Sequence, residues 1–365
     1  MAECGGSDGS RGRGNWFPIP HSEFRPPMHI FLYEWITGGG LAEDTGRLPA
    51  TLLAEGSAMI SALAADFAAM PGAAVTVLRD LRLDQLPLPG CEMVEIDSAA
   101  SWRDEFGARA AAADHTLVIA PEFDGILRTT LERLADAGGR ALNASVEFVS
   151  LATNKQRTAE RLAASGVPTP SGRVIEADAE RLPADFTYPA VLKPLDGAGS
   201  QHTLLIHGPA DEPPAYPWLR RLEQYVPGRP ASVAALCGPA GRVLLPPCWQ
   251  ALSDDGRFAY RGGALIREPA LAARARALAA HVLDAMPPAH GYVGVDLVLG
   301  DDPDGARDVA IEVNPRLTTS YVGLRAALRH NLADALVRVA QGHAVELPDH
   351  DSGVEFTAAG AVWRT

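Results

Sequence analysis

The sequence predicts an α/β protein with an N-terminal domain on a parallel sheet, followed by short strands that include an antiparallel pair. Three observations carry this. Short apolar runs alternate with alanine-rich helical stretches through roughly the first 150 residues, the pattern of a parallel sheet covered by helices on both faces. Beyond that the strands are short, and two of them flank the polar turn Asp301-Asp302-Pro303-Asp304-Gly305, as an antiparallel pair requires. The length of 365 residues suits two or three domains at about 100–200 residues each.

Residues 1–27 are rich in Gly, Ser, Arg and Pro without a hydrophobic period. They bury too little apolar area to offset ordering, so a disordered extension is expected there. Residues 29–34 read as a buried strand, followed by Thr37-Gly38-Gly39-Gly40 and a helix over 52–70. Strands follow at 75–78 and 115–120, the second ending in Pro121-Glu122-Phe123-Asp124. A helix over 126–137 stops at Gly138-Gly139. This first domain is placed at 28–148. A helix over 151–165, ended by Gly166 with Pro168 beyond it, opens a second part at 149–228, which holds strands at 189–193 and 203–207. The C-terminal domain, 229–365, takes a strand at 242–246, a helix at 271–286, the pair 293–299 and 309–313, and a last helix over 320–341.

Net charge is −13, from 32 basic and 45 acidic residues. Nucleic acids and anionic membranes need a basic surface, so neither is expected as a partner. Cys4, Cys91, Cys237 and Cys248 lie far apart with no CxxC pair, which reads as free thiols rather than a zinc site or a disulfide framework. No apolar run approaches the ~18–20 residues of a membrane span, and no signal-peptide core is present. A cytoplasmic protein is expected.

The strongest local signal is Ile311-Glu312-Val313-Asn314-Pro315-Arg316. On a strand, residues two apart share a face, so Glu312 and Asn314 project together. Asp296 interrupts the apolar strand 293–299, where an unpaired carboxylate is costly to bury. If the two strands pair, Asp296, Glu312 and Asn314 form an oxygen-rich face suited to magnesium. A solvated strand face followed by an Asn-Pro turn is the plainer alternative.

Lys155 and Lys193 are the only lysines in the chain. Lys193 ends a predicted strand and is followed by Asp196-Gly197-Ala198-Gly199-Ser200, a small-residue loop whose backbone N–H groups can cradle phosphates. A lysine there supplies a compact positive charge, and Arg316 adds a forked donor. A plain turn would look the same taken alone. Glu223-Gln224-Tyr225-Val226-Pro227-Gly228 is an extended segment ending in a turn; it can offer backbone groups to a purine edge, or serve simply as a linker.

In this order, Lys155, Val-Leu-Lys193-Pro with its glycine loop, Glu223-Gln224-Tyr225-Val226-Pro-Gly, Val-Asp296 and Glu312-Val-Asn314-Pro-Arg316 resemble the ATP-grasp superfamily over about residues 28–345. The resemblance implies an ATP-grasp fold, with a Rossmann-like N-terminal domain and ATP gripped between a small α+β lid at 149–228 and the C-terminal domain. It implies Lys155 and Lys193 on the phosphates, Asp196, Gly197, Gly199 and Ser200 in a mobile loop, Glu223 to Val226 at the adenine, and Mg²⁺ on Asp296, Glu312 and Asn314. Lys193 and Arg316 are the catalytic candidates. Homodimerisation is usual for the superfamily. Two departures stand out: Gly294 occupies the place where the D-alanine ligase branch has an arginine, and Gly228-Arg229-Pro230-Ala231-Ser232 lacks the glutamate common after the hinge.

Three shorter stretches, 31–41, 120–127 and 314–324, resemble the tyramine–glutamate ligase group of methanofuran-type cofactor biosynthesis. A bacterial counterpart would serve the related cofactor of one-carbon metabolism. That resemblance implies an amide formed from a small-molecule carboxylate, glutamate, and a tyramine- or tyrosine-like amine through an acyl phosphate. Glu34, Glu122, Asp124, Arg316, Thr318, Thr319 and Tyr321 are the candidates for the amino-acid side of the pocket. Thr318, Thr319 and Tyr321 could equally belong to the start of the last helix. The rivals are an ATP-grasp enzyme with another acceptor and a catalytically silent nucleotide-binding scaffold. The complete metal set speaks against the scaffold. A biotin-linked carboxylase lacks an attachment lysine, since both lysines already have roles.

Overall fold

The computed structural model describes residues 1–2, 27–44, 46–83, 85–177, 179, 181–197 and 200–365. The expected disordered extension, but for its ends, and Gly199 lie outside the described residues.

The first sheet contains β1 (Met28–Glu34), β2 (Ala73–Asp80), β3 (Cys91–Ile96) and β4 (His115–Ile119), parallel in the order β3-β2-β1-β4. Helices α1 (Ala50–Ala68), α2 (Ala99–Ala112) and α3 (Ile126–Asp136) pack on it. Strand order reverses at β1, so the carboxyl ends of β1 and β4 flank a crevice of the kind where open parallel sheets bind ligands. The backbone N–H of Trp35 donates to the Ile119 carbonyl at 2.8 Å and fixes the spacing of the two ends. β3 and α2 were not expected from the sequence. β3 is half exposed, and α2 buries only Phe106 and Ala110, so neither carries a strong apolar period. What starts α2 is local: the Ser98 hydroxyl accepts from the Ser101 N–H at 3.2 Å in a capping box.

Helix α1 corrects one expectation. Its 19 residues reach a mean hydropathy of 1.2, which is span-like in length and composition. It packs instead against β1, β2 and two C-terminal helices, and carries two acids: Glu55, which lines a cleft, and Asp66, which pairs with Arg325.

Two further expectations change at asparagines. The helix expected over 151–165 is two, α4 (Val146–Thr153) and α5 (Lys155–Ala164), broken at Asn154, whose side chain accepts from the Arg157 N–H at 3.0 Å. The last helix is likewise two, α7 (Ser320–Ala327) and α8 (Leu332–Ala340). Asn331 between them accepts from the N–H groups of Ala333 and Asp334. Asparagine caps a new helix more readily than it continues an old one.

The lid sheet is antiparallel, in the order β5 (Gly172–Ile175), β8 (Arg220–Gln224), β6 (Ala190–Pro194), β7 (Leu204–Ile206). It has a small core of its own, centred on Ile175, Ala190, Leu192, Ile206 and Leu222.

The largest sheet adds β9 (Arg229–Gly238), β10 (Gly241–Leu244), β11 (Cys248–Leu252), β12 (Tyr260–Leu265), β13 (Gly291–Leu299), β14 (Val309–Asn314), β15 (Val354–Thr357) and β16 (Val362–Arg364). Its order is β14-β13-β9-β11-β12-β15-β16, with β10 paired to β9, all antiparallel. Helix α6 (Pro269–Ala285) covers one face, and α8 lies against β9 and β13. Cys91, Cys237 and Cys248 are free thiols. Burial pushes Cys237 and Cys248 up to about 12, which leaves them protonated and inert.

Candidate active site

A cleft of about 1520 Å³, counted out to its open mouth, lies between the lid and the large sheet. β13 and β14 supply its most highly charged wall. Asp296 stands directly opposite Glu312, and Gly294 opposite Asn314. One residue further the register slips to Leu297 opposite Ala310, leaving Ile311 as an extra residue on β14. Such a bulge re-aims neighbouring side chains.

Asp296 Oδ2 accepts from Asn314 Nδ2 and Oδ1 from Gln250 Nε2, both at 3.0 Å. Burial, and then the facing Glu312 charge, raise the Asp296 carboxyl to about 7. Two partly buried carboxylates beside an amide oxygen are a donor set that fits a hard divalent cation, whose charge would relieve their repulsion. Among the described residues no group of three or more His, Cys, Asp or Glu side chains forms a metal cluster. The fit therefore rests on two acids and one amide.

Both lysines reach this cleft. Lys155, the first residue of α5, places Nζ 3.0 Å from Glu312 Oε1 and 3.1 Å from the Gly197 carbonyl. Burial works against its charge, yet Glu312, with Glu122 and Glu223 behind it, holds its pKa above the ordinary value. Lys193, near the end of β6, lies 2.5 Å from Glu223 Oε1 on the neighbouring strand. The other Glu223 oxygen accepts from Arg221 Nε at 2.9 Å, and Arg221 is anchored in turn on the Pro170 carbonyl and Gln156.

Gly197 and Ser200 line the cleft. Asp196 does not; its carboxylate accepts the Asp124 backbone N–H at 3.1 Å and ties the loop to the N-terminal domain. Glu223 to Val226 form the hinge wall. Gln224 and Tyr225 donate their backbone N–H groups to the carbonyls of Ser171 and Pro189, at 2.9 and 3.1 Å. The Tyr225 and Phe258 rings lie nearly parallel, 6.3 Å apart.

Arg316 leaves β14 into the junction between cleft and N-terminal domain, with Nε 2.9 Å from Glu122 Oε1. The pair is not aligned as a hydrogen bond, and both Glu122 oxygens remain buried without one. Burial raises the Glu122 carboxyl, against the pull of Arg316. Thr318 and Thr319 line the cleft. A Cβ at Gly294 would meet Thr318 Cγ2 at 2.7 Å, so the missing side chain is what lets Thr318 lie across the strand.

The remaining candidates separate. Glu34 lies in a smaller pocket next to the cleft. Asp124 is exposed on a turn, in a left-handed conformation with φ 55°. Tyr321 is a correction: it is fully buried away from the cleft, its hydroxyl donating to Asp66 Oδ2 at 2.6 Å. Sequence reasoning missed Gln250, because β11 was not recognised. It also missed Glu55, although one acid in the otherwise apolar first turns of α1 was a readable signal.

Residues 152–320 match the model of an ATP-grasp domain, and residues 73–149 that of a pre-ATP-grasp domain; together they span more than half of the chain. The chain belongs to the ATP-grasp family. It is an ATP-dependent ligase. The tyramine–L-glutamate ligase of Methanocaldococcus fervens is 24% identical over 90% of this chain and 99% of its own length. That of Methanocaldococcus jannaschii is 23% identical over 90% of this chain and 94% of its own. An ATP-grasp superfamily protein from Archaeoglobus fulgidus superposes with a TM-score of 0.65 at 21% identity, covering 88% of this chain and 90% of that one.

Proposed function

We propose that this ATP-grasp ligase joins the γ-carboxylate of glutamate to a tyramine- or tyrosine-like amine, as in methanofuran-type cofactor biosynthesis. The observation that carries the reading is convergence. The chain's two lysines, a facing pair of carboxylates and Arg316 all reach one cleft, and the relatives similar over 90% of the chain bear the name tyramine–L-glutamate ligase.

The γ-carboxylate attacks the γ-phosphorus of ATP; the bond to the β-phosphate oxygen breaks and ADP leaves. Lys155 and Lys193 exchange their carboxylate partners for phosphate oxygens and hold charge that is spread over those oxygens in the transition state. Asp296, Glu312 and the Asn314 amide oxygen would hold Mg²⁺, which supplies charge neutralisation at the phosphates when bound. The adenine would meet the hinge at Val226, past the two N–H groups already engaged by Ser171 and Pro189. The amine, having lost a proton, attacks the acyl carbon. Phosphate leaves, and the nitrogen gives up its second proton to the departing phosphate as the amide forms. Closure of the lid loop over 196–200 would keep water from the acyl phosphate. The three sheets are the basis for dividing the chain at about 148 and 228.

The test is phosphate release from Mg-ATP with glutamate and a panel of amines, beside Lys193→Ala. Release that requires both co-substrates and vanishes in the variant supports the reading. Nucleotide binding with no release from any carboxylate–amine pair overturns it.

A further inference from the structure

A second pocket, of about 420 Å³ counted out into the open solvent at its mouth, lies beside the nucleotide cleft at the crevice between the carboxyl ends of β1 and β4. Ile119, Ala120 and Pro121 form one side of it and α1 the other. Its walls are apolar over Trp35, Leu52 and Met59, and its charged groups are Glu34, Glu55 and Arg316. Arg316 is already ion-paired with Glu122, so the pocket's net charge is negative.

The pocket is built around Glu34. The Thr37 N–H donates to its Oε2 at 2.7 Å, and the carboxyl rests against α1 at Gly56, where a Cβ would meet it at 2.7 Å. Any other residue at 56 would push Glu34 out of place. Glu55 and Arg316 line both this pocket and the ATP cleft, so the junction between the two spaces is where an amine nitrogen can meet an acyl group activated in the cleft.

We infer that this pocket is the acceptor subsite. Glu55 faces the ammonium end of the incoming amine and Glu34 accepts a hydrogen bond from it, Trp35, Leu52 and Met59 receive its apolar body, and Glu55 repels an amine that carries a carboxylate of its own. The inference rests on the ligase reading for the identity of the acceptor but is tested by binding alone. A carboxylate placed beside half-buried Glu55 lacks compensation, whereas an ammonium gains a partner there.

Tyramine and tyrosine differ only in that carboxylate, and they are the probes. Titration calorimetry on the full chain with Mg²⁺ and a non-hydrolysable ATP analogue should show tyramine binding at least tenfold tighter than tyrosine. Glu55→Gln should weaken tyramine at least tenfold, and Leu52→Trp should abolish its binding by filling the pocket, while both variants still bind the analogue. Tyramine affinity unchanged in both variants, or tyrosine binding as well as tyramine, overturns the inference. Phosphate release by the unmodified chain is read separately. If tyramine binds through Glu55 and Leu52 but no phosphate appears, the subsite stands and the ligation reading fails. If phosphate release requires tyramine but ignores both substitutions, the ligation reading stands and the subsite fails.

Discussion

Two buried polar clusters flank the start of α7, and they are built to opposite rules. Around Asp66 every charge is met by an aligned donor. The carboxylate accepts from the Tyr321 hydroxyl at 2.6 Å and from Arg325 at 3.0 and 2.6 Å, while the Asp66 carbonyl accepts from Asn331 at 2.7 Å. In the cleft, Asp296 faces Glu312 and both lysines sit on carboxylates that a nucleotide and a cation would claim, while beside it Glu122 keeps two buried oxygens without a hydrogen bond. A satisfied cluster braces helices. An unsatisfied one holds free energy in reserve that a ligand can release, and this separates site from scaffold where residue type does not.

Asp296→Asn is the sharpest way to break the comparison. It removes one proposed cation ligand, so phosphate release should fall by about 10²–10³. It also removes like-charge repulsion with Glu312, so the melting temperature should hold or rise. A variant that loses activity only because it unfolds would put Asp296 in the scaffold. Asp66→Ala should do the reverse. It strands Arg325 and the Tyr321 hydroxyl and should destabilise by about 3 kcal/mol, with kcat per folded molecule nearly unchanged. Urea unfolding beside active-site titration measures both.

Glu34 belongs to neither extreme and sharpens the contrast through pH. Burial, eased only in part by Thr37, Ile36 and Arg316, raises its carboxyl from 4.5 to about 7. The folded state therefore holds the proton over a range in which the unfolded chain has lost it. Stability is greatest below about pH 4.5 on this account and falls as pH rises toward 7, by up to about 3 kcal/mol. Urea midpoints at pH 5 and pH 8 should differ in the parent and differ less in Glu34→Gln, where Asp296, also raised to about 7, still contributes. An equal slope in the variant would assign the pH dependence elsewhere.

Much of the cleft was legible because its chemistry is local in sequence. Lys193 with its loop, the hinge 223–226 and the Glu312-Val-Asn314 alternation each show their face within eight residues. What stayed hidden depends on pairings between distant strands. Gln250 reaches Asp296 only because β11 and β13 both pair with β9. The bulge at Ile311 is invisible in a string whose apolar run Val309-Ala310-Ile311 leads straight into the Glu312-Val313-Asn314 alternation. The helix breaks at Asn154 and Asn331 are the converse case, local signals overridden in the reading by the apolar period running through them.

Tyr321 shows how close the two clusters come in sequence, and it gives the smallest and most discriminating prediction. Thr318, Thr319 and Ser320 line the cleft, yet the next residue, on the first turn of α7, points the other way into Asp66. Helical geometry turns successive side chains by about 100°, so one step is enough to leave the site. Tyr321→Phe deletes a single hydroxyl from a cluster in which Arg325 still serves Asp66. It should lower stability by about 1 kcal/mol and leave the KM values for ATP, glutamate and amine within twofold. A rise in the amine KM with no change in urea midpoint would return Tyr321 to the substrate side and would mean that α7 turns on binding.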